Sequence, residues 1–315
     1  MTKPVLLAAG CSFTAPNNWR YYDKYGVKEL KTWPQVLADI IKDKHGIDYA
    51  VHNTARGGSS LAKSIDRLQT AIFSDKYEND WNEWIKCDIK PHPENLIVLG
   101  LTDWLREFST WTYSDFNPAV LYMHLLSGSI KKGEHPSVSL DDLDDHITDR
   151  PKDDDGALRI AGEMGIEPFL RNWLNDFYVK DEYRIRRIHY AFQQIYSVIT
   201  MAKALGFKVL VYQLLVPFPP HEHFLKSFGY KNPQNQTIDE WLIDHMHSVP
   251  LYDVLRKEES IIGFPFVDVL GGYSYESAVY NDHEKHDIIP GDGHPNQLGH
   301  KVIAKEFYNA WKNTA

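Results

Sequence analysis

Cysteine is scarce in this sequence: Cys11 and Cys87 are the two cysteines among 315 residues. Small secreted domains that depend on disulfides carry many more, so that class of protein is excluded. With 43% hydrophobic residues, a chain of this length can bury a large core without disulfides. We expect both cysteines to be free thiols in a protein of a reducing compartment.

Long apolar runs are also missing. The run from Val5 to Ala9 is shorter than the core of a signal peptide. No other stretch approaches the roughly 20 apolar residues that a membrane-spanning helix needs. The sequence therefore predicts a cytoplasmic protein with neither a signal peptide nor a transmembrane segment.

Positive charge is in deficit, with 34 Lys and Arg residues against 43 Asp and Glu residues and a net charge of -9. Nucleic-acid binding needs a basic surface, and the one dense basic cluster is the short group Arg184, Arg186 and Arg187. We therefore expect no nucleic-acid partner.

Two kinds of apolar pattern alternate along the chain. Short continuous apolar runs indicate strands buried on both faces, and longer runs with a period near 3.6 indicate helices. Their alternation predicts an α/β protein whose parallel sheet is covered by helices on both faces. The predicted strands are 5–9, 49–51, 96–100, 208–216 and 266–270, and the predicted helices are 33–45, 61–73, 182–205 and 297–311.

The alternation is interrupted twice, at about 104–180 and at 217–263. The first interruption contains an aspartate-rich stretch at 141–155, which is typical of a solvated loop. No repeat and no linker divides the chain. We therefore predict a single domain, 1–315, with two irregular insertions.

Four polar loops with glycine follow predicted strands or open the last helix. Because ligands bind outside the carboxyl ends of parallel strands, these loops are expected to gather into one site. Ser12 or Ser60 in such a loop also suits a helix cap, whereas His294, between Gly293 and Pro295, is poorly placed for core packing and suits a base. The loops read GCSFT at 10–14, NTARGGSS at 53–60, GLTDW at 100–104 and DGHPNQLGH at 292–300.

The order of these four blocks resembles the SGNH (GDSL-type) hydrolases, and the resemblance spans nearly the whole chain outside the insertions. It implies a three-layer, flavodoxin-like α/β fold and a serine esterase that needs no cofactor and no metal. Matched position by position, it makes Ser12 the nucleophile and His294 the general base. The oxyanion hole would comprise the Ser12 backbone N–H, Gly58 and Thr102.

Three positions depart from the family pattern. Cys11 replaces the Asp of the GDS block, and Thr102 stands where the family has Asn, so a single hydroxyl replaces an amide donor. Asp292 is separated from His294 by one residue where the family usually has two. Asp292 is our prediction for the acid that orients His294, with Asp287 as the alternative.

The expected reaction is removal of O-acyl, especially O-acetyl, groups from a carbohydrate or other small ester substrate. The same residues would serve an O-acyltransferase. A different alternative is a catalytically inactive hydrolase fold that binds a glycan or a protein partner. A metal site is a further alternative because His and Asp crowd 282–300, but the spacing matches no tight metal motif, and His300 is expected to be a packed or capping residue.

Overall fold

The structure is a computed structural model, and it describes residues 3–15, 31–57, 59–78, 84–102, 104, 107–108, 115–116, 181–215, 243–266, 295 and 297–314. In chain order, the elements are β1 (Val5–Ala9), α1 (Trp33–His45), β2 (Ala50–Asn53), α2 (Leu61–Ser74), β3 (Lys76–Glu78), β4 (Trp84–Lys86), β5 (Leu96–Leu101), β6 (Glu107–Phe108), β7 (Asp115–Phe116), α3 (Asp181–Ala204), β8 (Lys208–Gln213), α4 (Tyr252–Leu255), β9 (Ile261–Ile262) and α5 (Gln297–Thr314).

The central sheet has five strands in the order β2-β1-β5-β8-β9, and every neighbouring pair is parallel. Counted along the chain within this sheet, the order is 2-1-3-4-5, which is the flavodoxin-like arrangement. Every residue of β1 and β5 is buried, as the continuous apolar runs predicted. The predicted fold class is therefore confirmed.

Two hydrophobic clusters cover the two faces of this sheet. Successive strand residues point to opposite faces, so Leu6 and Ala8 belong to one cluster and Leu7 and Ala9 to the other. The first cluster contains the buried residues of α1 and α5, and the second contains those of α2 and α3. The result is a three-layer structure with helices on both faces.

Helices α1 and α5 lie side by side and run in the same direction. At their beginnings, the Trp33 backbone N–H donates to Nδ1 of His300 at 3.2 Å, which confirms His300 as a buried capping residue. Near their ends, Nε2 of His45 lies 3.0 Å from the Tyr308 hydroxyl. Because α1 connects the parallel strands β1 and β2, it begins at the carboxyl edge of the sheet. Helix α5 therefore begins at that edge too.

The fifth strand differs from the prediction. It is Ile261–Ile262, which pairs with Val211 and Tyr212 of β8, whereas Phe266 lies in a turn and 267–270 fall outside the described residues. Phe266 packs in an aromatic cluster of the core: its ring centroid lies 5.4 Å from that of Trp104 and 5.8 Å from that of Phe192. Of the predicted strand 266–270, Phe266 therefore lies in the core beside the sheet and not within it.

Both cysteines are buried free thiols, as predicted. Burial, with a smaller contribution from Asp75, raises the pKa of the Cys87 thiol to about 11, so it stays protonated at neutral pH. In the described ranges, no helix has an apolar stretch long enough to cross a bilayer.

Candidate functional site

Ser12 lies in a tight turn directly after β1. The backbone N–H groups of Thr14 and Ala15 both donate to the Cys11 carbonyl at 2.9 Å, which closes a single helical turn around Ser12. Cys11 and Phe13 are buried in the cluster beneath α1 and α5, whereas Ser12 between them is half-buried. Its neighbours therefore anchor the turn in the core and leave Ser12 at the carboxyl edge of the sheet.

The second loop lies against this turn. The Arg56 backbone N–H donates to the Gly10 carbonyl at 3.3 Å, and a methyl group on Gly57 would lie 3.9 Å from Cβ of Ser12. The loop ends at Ser60, which caps α2 by accepting a hydrogen bond from the Lys63 N–H at 3.1 Å. The capping interpretation of Ser60 is therefore confirmed.

The third loop begins at Thr102, immediately after β5. Its carbonyl accepts a hydrogen bond from Nε2 of Gln213 at 2.9 Å, and the residue is 1% exposed. Its side-chain Oγ1 is buried and has no hydrogen-bond partner in the described part of the chain. Native proteins rarely leave a buried hydroxyl unpaired, and Oγ1 of Thr14, in the turn that carries Ser12, is in the same state.

Glycine is needed where β1 and β5 end side by side. A methyl group on Gly10 would lie 2.5 Å from Oγ1 of Thr14 and 2.8 Å from the Gly100 carbonyl oxygen. A methyl group on Gly100 would lie 2.8 Å from the same Thr14 hydroxyl and would also clash with Leu214. The two glycines thus allow the Ser12 turn to fold down onto the end of β5.

The structure places some predicted site residues and not others. Ser12 and Thr102 are described, and both lie at the carboxyl edge of the sheet. Four predicted residues, Gly58, Asp287, Asp292 and His294, fall outside the described residues. Pro295, the next residue after His294, is buried.

No cluster of three or more His, Cys, Asp or Glu side chains suited to a metal occurs among the described residues. Most of the segment that raised a metal site as an alternative, 282–300, lies outside those residues. Within the described loops, the polar groups of the site are backbone N–H groups, hydroxyls and the side chains of Asn53 and Arg56. Such groups suit a developing oxyanion.

His52, the residue before Asn53, is a structural histidine. Its ring meets the Tyr77 ring edge-on, with centroids 5.9 Å apart, and burial lowers the pKa of His52 below its usual value of 6.5. The imidazole therefore remains neutral at pH 7. Its contact with Tyr77 packs β2 against the β3–β4 hairpin.

Two amide side chains that hold the loops together were not assigned a role from the sequence. Asn53 bonds to both the first and the second loop, and Gln213 bonds to the third. A faint signal existed for each: Gln213 ends a strand that is apolar in its middle, and Asn53 lies where a strand gives way to a polar loop with glycine. Neither pattern says which backbone atoms the amide would reach.

No protein-family model matches the sequence, and no curated protein matches it. Among solved structures, the chain is similar to a lipase from a goat rumen metagenome, at 11% identity and a TM-score of 0.41, over 98% of this chain and 97% of the other. It is also similar to a mutant of an acetyl-xylooligosaccharide esterase from Geobacillus Stearmophilus, at 10% identity and a TM-score of 0.41, over 98% and 96%. A third structure, described as a GDSL-like lipase from Parabacteroides merdae, matches at 10% identity and a TM-score of 0.38, over 98% and 95%.

Proposed function

We propose that the protein is a serine esterase with Ser12 as nucleophile. The observation that carries this proposal is the setting of Ser12: a half-buried hydroxyl in a closed turn, beside Gly57 and the end of β5. The buried, unpaired hydroxyl of Thr102 follows β5 at the same edge of the sheet. A serine at the same sheet edge as a buried hydroxyl that has no partner among the described residues supports a role in acyl transfer.

The general base in this proposal is His294. It precedes Gln297, the first residue of α5, by three residues, and three residues span at most about 11 Å. Gln297 is fixed at the carboxyl edge because its side chain bonds to both the N–H and the carbonyl of Lys31, at 2.9 and 3.1 Å. Within that reach of Gln297, His294 would be able to approach the edge that carries Ser12, which supports its assignment as the base.

In the proposed reaction, Oγ of Ser12 attacks the ester carbonyl carbon while Nε2 of His294 takes the hydroxyl proton. The negative charge that forms on the carbonyl oxygen is stabilised by the N–H groups of Ser12 and Gly58 and by the Thr102 hydroxyl. His294 then protonates the departing alkoxide, which leaves an acyl-Ser12 intermediate. Water, deprotonated by His294, releases the acid and restores Ser12.

Asp292 is the proposed partner of His294. In an extended stretch, residues two apart project to the same side, so its carboxylate can accept from Nδ1–H of His294. Asp287 takes this role only if the segment between the two folds back. Either carboxylate would fix the tautomer of the imidazole and stabilise its charged form.

The proposed substrate is an O-acetylated carbohydrate. An exposed indole supports this choice: Trp84 of β4 is 58% exposed and lies opposite Glu78 in the β3–β4 hairpin. Glu78 Oε2 in turn lies 3.8 Å from Nη1 of Arg56, in the loop beside Ser12. Nζ of Lys76 lies 4.7 Å from the centroid of the Trp84 ring, and the other face of the indole offers an apolar surface on which a sugar ring can stack.

Steady-state hydrolysis of a small aryl acetate and of an acetylated xylooligosaccharide tests the proposal. We expect turnover of both substrates by the wild-type protein, its loss in Ser12→Ala and His294→Ala, and a large fall in kcat with an intact fold in Asp292→Asn. Equal activity in Asp292→Asn and loss in Asp287→Asn would move the orienting role to Asp287. A wild-type protein that binds the oligosaccharide but hydrolyses neither ester would instead be a binding protein, and this result would overturn the proposal.

A further inference from the structure

We infer that Asn53 is a positioning residue that sets the distance between the nucleophile turn and the donor loop, an inference that rests on the proposed function. Asn53 is the last residue of β2, and its side-chain amide bonds in two directions. Nδ2 donates to the Thr14 carbonyl at 2.5 Å, and Oδ1 accepts from the Ala55 N–H at 3.1 Å. One amide group therefore joins the turn that carries Ser12 to the loop that carries Gly57.

The bond to Thr14 reaches the turn at a sensitive point. The Thr14 carbonyl belongs to the same peptide group as the Ala15 N–H, which donates to the Cys11 carbonyl, so holding it also holds the peptide that precedes Ser12. The bond to Ala55 fixes the start of the loop whose next residues approach Gly10 and Ser12. Because Asn53 bonds to both, a shift of either loop against the other breaks one of its hydrogen bonds.

The chemistry of this position requires an amide. An asparagine provides a donor on one side and an acceptor on the other, whereas an aspartate of the same shape is acceptor-only when ionised. Asn53→Asp therefore keeps the acceptor for Ala55 but places a negative oxygen against the Thr14 carbonyl. The two hydrogen bonds of Asn53 can thus be tested separately. Asn53→Ala removes both bonds, and Asn53→Asp removes only the bond to Thr14.

Asn95 offers a matched control at the opposite edge of the same sheet. Its Oδ1 accepts from the Val5 N–H at 2.9 Å, its Nδ2 donates to the Lys90 carbonyl at 2.8 Å, and it is 3% exposed. It thus clamps the beginnings of β1 and β5 with the same two kinds of bond that Asn53 makes at the carboxyl edge. Asn95→Ala costs comparable hydrogen bonds far from Ser12.

The experiment compares kcat, KM, thermal stability and the rate of Ser12 modification by a fluorophosphonate in the wild type, Asn53→Ala, Asn53→Asp and Asn95→Ala. A displacement of about 1 Å in a reacting group can cost up to about 10²-fold in rate. We therefore expect kcat and the modification rate to fall by about 10- to 100-fold in both Asn53 variants, with KM little changed. Asn95→Ala should lower the melting temperature while folded molecules keep wild-type kcat.

Ser12→Ala is measured alongside to keep two failures distinct. If turnover depends on Ser12 and Asn53→Asp retains wild-type kcat and modification rate, the inference is wrong while the proposed function stands. Loss of kcat in Asn95→Ala equal to that in Asn53→Ala would also overturn it, since the effect would then be general destabilisation. If the wild type shows no Ser12-dependent turnover or modification, the proposed function fails and the role of Asn53 fails with it.

Discussion

Thr102 has an almost fully buried side chain whose hydroxyl has no partner among the described residues, as does Thr14 in the turn after β1. An unsatisfied buried polar group costs about 1–3 kcal/mol of stability. The side-chain amide of Gln213 donates a hydrogen bond to the Thr102 carbonyl. This bond holds the Thr102 backbone but does not involve the Thr102 hydroxyl. A donor kept in place without a partner is what an oxyanion hole requires in the resting enzyme.

Thr102→Val tests this interpretation directly. The substitution keeps the shape of the side chain and removes a hydroxyl that bonds to nothing described, so we expect the melting temperature to be kept or raised. Loss of one oxyanion donor typically lowers kcat by about 10²- to 10³-fold. Thr54→Val is the contrasting variant for stability, because Oγ1 of Thr54 donates to the Ala8 carbonyl at 3.0 Å. Thr54→Val should lower the free energy of unfolding by about 0.5–1.5 kcal/mol. Full esterase activity in stably folded Thr102→Val would show that Thr102 is not an oxyanion donor.

Part of the site could be predicted residue by residue, and part could not. The position of Ser12 and Thr102 at the carboxyl edge was predictable because each follows a strand that can be identified from its own apolar run, whereas their proposed roles rest on the resemblance of the four loops. The role of Asn53 was missed because its partner, Thr14, is 39 residues away in sequence. Which backbone carbonyl a side-chain amide reaches depends on the order of the strands, and the sequence of a single loop does not contain that information.

At the scale of elements, long patterns were predictable and short ones were not. Helices α1, α2, α3 and α5 begin and end within a few residues of their predicted bounds, since each carries several turns of apolar periodicity. Strand β9 has two residues, both half-buried, and two residues are too few to form a pattern. Its place in the sheet is set by pairing with β8, which is a tertiary contact.

The edge strand β2 carries a titratable group whose effect on stability has a definite sign. Burial lowers the pKa of His52 in the folded protein, so below its ordinary pKa of 6.5 the unfolded chain binds a proton that the folded protein does not. The contribution of His52 to stability is therefore fully present above pH 6.5 and declines as the pH falls below that value.

Thermal unfolding of the wild type and His52→Gln between pH 7.5 and pH 5.5 measures this contribution. We expect the melting temperature of the wild type to fall more steeply on acidification than that of His52→Gln, because the variant has no imidazole to protonate in the unfolded state. Parallel curves would mean that the His52 pKa is the same in the folded and unfolded chains.

At the scale of the whole molecule, the fold brings together segments from opposite ends of the chain. The flavodoxin-like strand order places β1 inside the sheet, between β2 and β5, so the turn after it lies between two other loops. The parallel packing of α1 and α5 then brings the beginning of α5 to the same edge. The sequence predicted this layering from alternating patterns, whereas the pairing of α1 with α5 follows from contacts such as the stacking of Trp33 on Phe307 at 4.3 Å.

The central claim is that Ser12 is a nucleophile activated by His294, and covalent modification by a fluorophosphonate measures it most directly. A serine hydroxyl reacts appreciably with such a probe at neutral pH only when a base takes its proton. Mass spectrometry of the digested protein should therefore find the adduct on Ser12 in the wild type and no adduct in folded His294→Ala. An adduct on a different serine, or modification of Ser12 at an undiminished rate in His294→Ala, would contradict the account.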